Sequence, residues 1–116
     1  MEAGFVLASS HGRISVSGKA VAQIVGHTAA ECYGVVGMDG GKVGRLLSRN
    51  GPTRGVEVRG APGVLAIALH VVVEYGLNLA EVAATVRSRV AYEVERLTGL
   101  EIASVEVHIA DVRRSA

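Results

Sequence analysis

The chain is expected to be an α+β domain, a two-layer α/β sandwich of order βαββαβ with two helices on one face of a three- to four-stranded sheet. Three observations predict this. Two stretches carry apolar residues at helical spacing, and several others alternate apolar and polar residues with the period of a strand. Each helical stretch has one apolar stripe, which is best buried against a sheet. At 116 residues the chain fits one domain, 1–116, with a single core.

Met1 to His11 shows little periodicity and is expected to form a tail or an added edge strand. From Arg13 to Ser17, Ile14 and Val16 alternate with polar neighbours as in a short strand. Ser17 suits the N-cap of a helix whose stripe is Val21, Ile24, Val25, Thr28, Ala29 and Cys32, and Gly34 is expected to close it. Between Gly37 and Gly63 lie eight of the 15 glycines, and residues 37–54 read as a flexible Gly-rich and basic segment. Val56 and Val58 alternate with Glu57 and Arg59, and Ala61-Pro62-Gly63-Val64 fits a type II turn. That predicts a hairpin whose return strand is Val64 to Glu74. Asn78 with Glu81 resembles a capping box before Leu79, Val82, Ala83, Val86, Val90, Val94 and Leu97, a long helix ended by Gly99. Val105, Val107 and Ile109 then alternate with Glu106 and His108 in a final strand before Arg113-Arg114.

Composition narrows the function. Hydrophobic residues are 49% and charged residues 20%, with Lys+Arg 12 against Asp+Glu 11, neither a disordered composition nor a strong basic excess. Cys32, the only cysteine, forms no internal disulfide and supplies no four-thiolate zinc site. No signal-peptide pattern is present, so the cytoplasm is the expected compartment. The apolar run Val64 to Val73 is interrupted by His70 and falls short of the ~20 residues of a membrane span. Membrane association would therefore go through a partner.

Catalytic and ligand motifs fail on inspection. Gly41-Lys42 is followed by Val43, and Val36 occupies the first glycine position of a P-loop. No two glycines have a single residue between them, which removes the dinucleotide fingerprint. His27 precedes Cys32 by five residues and lies off its helical face, so Cys32 reads as core and not as a nucleophile. His70, Glu106 and His108 share a predicted sheet face, but no ligand pair has compact metal spacing. No catalytic residue, cofactor or metal is expected. Lys42, Arg45, Arg49 and Arg54 support an alternative RNA-binding reading, set against the scarcity of stacking aromatics: Phe5, Tyr33, Tyr75 and Tyr92.

The strand Val64 to Glu74 is the most informative feature. Leu65, Ile67, Leu69, Val71 and Val73 should face the helices, leaving Val64, Ala66, Ala68, His70 and Val72 on the reverse side. That side is largely apolar, rimmed by Glu57, Arg59, Glu74, Glu106 and His108, as association surfaces are. The candidate protein-interaction residues are Ala66, Ala68, His70, Val72, Glu106 and His108.

Several blocks carry a family resemblance. Gly12-Arg13-Ile14-Ser15-Val16-Ser17 and Ala29-Ala30-Glu31-Cys32-Tyr33-Gly34-Val35 come first, followed by Gly55-Val56-Glu57-Val58 and Val73-Glu74-Tyr75-Gly76. Thr98-Gly99-Leu100 and Val105-Glu106-Val107-His108-Ile109 complete the series. In order and spacing, from about Gly12 to Val112, these resemble the alkaline shock protein family of envelope stress response proteins. The resemblance implies a bacterial protein of the Gram-positive type, cytoplasmic and without enzymatic activity, linked to cell-envelope homeostasis. It also implies, for some members, a small integral membrane anchor as partner. It supplies no match for residues 37–54. The function expected is a protein-binding, self-associating scaffold in the envelope stress response, acting as a homo-oligomer.

Overall fold

A computed structural model describes residues 4–9, 12–39, 55–61 and 64–114, with side chains from Ser15 onward except that of Ala61. Its elements are β1 (Gly4–Ser9), β2 (Gly12–Ser17), α1 (Gly18–Glu31), β3 (Val35–Met38), β4 (Val56–Ala61), β5 (Val64–Glu74), α2 (Leu79–Thr98) and β6 (Glu101–Arg113). The fold is α+β, with two helices and a four-stranded main sheet among the described residues.

β5 is the spine of that sheet. β4 and β3 pair with it antiparallel in succession, β4 along Val64 to Leu69 and β3 along Val71 to Val73. β6 pairs with it in parallel, from Val64↔Glu101 to Glu74↔Arg113. A parallel neighbour requires a crossover, and α2 supplies it. Leu65, Ile67, Leu69, Val71 and Val73 are at most 1% exposed and pack on Val21, Val25 and Ala29 of α1 and Val82, Val86, Val90 and Val94 of α2. The core face of β5 is thus the one its alternation predicts.

The helix ends follow local chemistry. Ser17 Oγ accepts from the Ala20 amide at 3.0 Å, and Asn78 Oδ1 accepts from the Glu81 amide at 3.1 Å. Gly99 caps α2 in the left-handed conformation, φ 75°. Thr98 Oγ1 donates to the Val94 carbonyl at 2.6 Å and accepts from the Leu100 amide at 3.1 Å, satisfying a hydroxyl that is otherwise buried.

Several expectations change. The strand Arg13 to Ser17 does not join the main sheet: as β2 it pairs with β1 in a separate two-stranded sheet, Gly4↔Ser17 through Ser9↔Gly12. The stretch before it is therefore a strand, paired within its own hairpin. α1 ends with an extended cap at Cys32, and Gly34, φ 91°, serves the turn into β3 instead. A Cβ at Gly34 would come 2.7 Å from Leu77 Cδ1. Gly37 and Met38, expected in a flexible segment, lie in β3 opposite Val72 and Val71. Residues 40–54 and the Pro62-Gly63 turn lie outside the described residues. In α2, Leu79 and Leu97, expected on the buried stripe, are 38% and 54% exposed; the stripe is Val82, Val86, Val90 and Val94.

Candidate functional site on the open sheet face

Both helices cover one side of the sheet, and the site lies on the other. β5 presents Ala66, Ala68 and His70 there, all half-buried. The register sets their neighbours. Arg59 of β4 and Ser104 of β6 flank Ala66, while Glu57 and Glu106 flank Ala68. His108 stands beside His70. Glu57, Arg59, Ala66, Ile67, Ala68, His70, Glu106 and His108 line a shallow hollow of about 310 Å³.

Two imidazoles lie side by side on this face. Their ring centroids are 4.9 Å apart with planes inclined by 17°, a stacked pair across parallel strands. His70 Nε2 lies 4.0 Å from Glu57 Oε2 on the adjoining strand. The backbone of His70 is also held: its amide donates to the Gly55 carbonyl at 2.9 Å, and its carbonyl accepts from the Asp39 amide at 3.0 Å. The residue just before β4 and the residue just after β3 thus meet at the His70 backbone, while the His108 ring stacks on its side chain. Among the described residues no group of three or more His, Cys, Asp or Glu is arranged to hold a metal ion.

Five of the six sequence-selected residues, Ala66, Ala68, His70, Glu106 and His108, line this hollow together. Val72 does not belong with them. Expected on an open face, it is fully buried and lies outside the main core cluster. It sits between Gly37 of β3 and Asp111 of β6, beside a break in the β6 register at Val71/Val72. Ala110 is passed over in that break, and such a bulge re-aims the side chains around it. Lys42, Arg45, Arg49 and Arg54 lie outside the described residues. Sequence reasoning missed Ser104, which reaches this face because Ala103 is passed over between Ile102 and Ser104.

Cys32 occupies the core, 4% exposed, and its thiol donates to the Thr28 carbonyl at 3.4 Å. Burial pushes its pKa up, the nearby Glu31 adds to this and Arg89 opposes it. A thiol held in the neutral form is a poor nucleophile. On the outer side of α2, Arg96 grips the Glu93 carboxylate through Nε at 3.3 Å and Nη2 at 2.8 Å. No helix among the described residues is long and apolar enough to cross a membrane.

These features define a small two-layer α+β domain whose polar groups gather on an uncovered sheet face. Its kinship is shown by a family model and by curated relatives. Residues 7–114 match the model of the alkaline shock protein 23 family, described as having a cell envelope-related function, and the chain belongs to that family. It is 33% identical to YloU of Bacillus subtilis, covering 92% of this chain and 93% of that one. It is 26% identical to a stress response regulator gls24 homolog of Streptococcus pyogenes, covering 88% of this chain but 59% of the relative. Among solved structures, a mutant MamM CTD superposes with a TM-score of 0.51 at 17% identity, over 80% of this chain and 93% of that one. A likeness at that identity shows a shared fold alone. Family membership implies a role related to the cell envelope or the stress response.

Proposed function

We propose that this protein is a non-enzymatic scaffold of the cell-envelope stress response that self-associates through its open sheet face. The observation that carries the reading is the placement of half-buried Ala66 and Ala68 and the stacked His70–His108 pair on the side opposite both helices. A second copy suits this face by its charges. Arg59 lies in one cross-strand row, beside Ala66, and Glu57 and Glu106 lie in the next, beside Ala68. A two-fold axis running between and parallel to these rows sets each copy's Arg59 against Glu57 of the other and Glu106 opposite Ser104, the self-complementarity an isologous dimer needs. A buried Cys32 held in its neutral thiol form is a poor nucleophile, which supports a non-catalytic role. The anchoring of some relatives suggests that a small integral membrane protein holds the assembly at the cytoplasmic face of the membrane.

The test is sedimentation of the wild type against Ala66→Glu with Ala68→Glu. Both positions are half-buried and tolerate a charge better than Val72, which is fully enclosed. The wild type should dimerise, and the double variant should remain folded while dimerising at least tenfold more weakly. An unchanged dimer would remove the sheet-face reading.

A further inference from the structure

A second incomplete surface lies at the edge of the sheet. β6 pairs with β5 on one side, and among the described residues nothing pairs with its other side. Its inward-facing Val105, Val107 and Ile109 are only half-buried, whereas their partners Ile67, Leu69 and Val71 on β5 are at most 1% exposed. Beside this edge is a hollow of about 370 Å³ between β6 and α2, walled by the small Ala80, Ala83 and Ala84 and by Arg87. Bulges and charges commonly protect such edges. Here the register breaks only at Ala103 and Ala110, so Ser104 to Ile109 form six regular residues, of which Val105 to His108 line the hollow.

The β1–β2 hairpin has the opposite deficiency. Its strands pair only with each other among the described residues, and an isolated two-stranded hairpin in water is marginally stable at best. β1 reads Gly-Phe-Val-Leu-Ala-Ser, six residues without a charge. Its outer edge has no described partner.

We propose that β1 of one copy adds as a strand to the free edge of β6 in a second copy, Gly4–Ser9 lying along Ser104 to Ile109. The two segments match at six residues each, about 20 Å at the usual rise per residue. Strand addition supplies the hairpin with a third strand and the edge with its missing hydrogen bonds, while the small alanines of α2 leave room for an apolar sequence beside the edge. Hairpin and edge are different surfaces, so the contact is heterologous, and each junction leaves one hairpin and one edge unfilled. It is independent of pairing through the sheet face.

The experiment uses the full chain carrying Ala66→Glu and Ala68→Glu, which removes sheet-face pairing. Into it are placed either Phe5→Asp with Leu7→Asp, altering the hairpin, or Ala80→Glu with Ala84→Lys, filling the hollow. The second pair lies at exposed helical positions four apart, a spacing that supports the helix. Circular dichroism checks that each variant is folded. The parent should associate with rising concentration in sedimentation, and each altered chain alone should do so at least tenfold more weakly. Mixed, the two altered chains should form a 1:1 complex, because each retains the surface the other has lost. A parent that stays monomeric, association indifferent to both alterations, or a mixture that forms no complex would each overturn strand addition without bearing on the sheet-face dimer.

Discussion

Cys32 shows how burial decides a residue's chemistry. Its thiol lies within the core, hydrogen-bonded to Thr28, with its pKa raised by burial. Ellman's reagent at pH 8 should label it only after denaturant is added; full labelling of the native chain would contradict the structure. Glu93 illustrates the opposite direction. Hydrogen bonding from Arg96 holds its carboxylate below the ordinary value. A carboxylate depressed in the folded state contributes stability above its unfolded pKa, and that contribution is lost as pH falls through the folded value. Arg96→Ala should therefore lower the urea midpoint slightly at pH 7 and leave it unchanged near pH 2, the pair lying at the surface with Arg96 exposed and its effect small. A difference that grows toward acid would have the wrong sign. At this scale, the burial of Cys32 was legible from its place on the apolar stripe. The stacking of His70 on His108 was not, because the register of β6 depends on passing over Ala103, a small residue in no recognisable pattern.

Among the elements, legibility followed length and capping. α2 spans 20 residues between an Asn cap and a Gly cap, and its limits could be read directly from the chain. Replacing Asn78 with Ala should cost about 1 kcal/mol in denaturant unfolding, since the Glu81 amide would lose its acceptor. No measurable loss would show that the cap bond does not form in solution. β3 was missed because it is four residues long, contains Gly37 and sits between turn residues and a glycine-rich stretch, so its few apolar positions show no period. Its strand character comes from partners on β5 that are distant in sequence. β2 was legible as a strand, but its separation from the main sheet was not, since alternation does not specify a neighbour.

For the whole molecule, the two sides of β5 predict contrasting fates for adjacent residues. Leu69→Ala should destabilise by about 2–5 kcal/mol, as deleting a wholly enclosed leucine leaves a cavity. Ala68→Glu, one position away on the open side, should leave the thermal midpoint within a few degrees of wild type. Calorimetry on both variants checks this, and equal losses would mean the reverse side is sealed by its own chain. The two-layer architecture followed from simple counting of apolar stripes. The occupancy of the second side did not, because composition cannot distinguish a side awaiting a neighbour from one covered by its own chain; Val72, enclosed where exposure was expected, marks that boundary.

The junction at His70 has one more consequence. Asp39 and Gly55 both bond to the main chain of that single residue, and a side chain at Gly55 would press within 2.8 Å of the Asp39 carbonyl oxygen. The two ends of the intervening stretch are thus stitched to one point on the scaffold, like the neck of a drawn purse. Doubling the length of chain between such stitches raises its closure cost by only about 0.6 kcal/mol. Insertions between these two stitches are therefore expected to cost little in closure entropy.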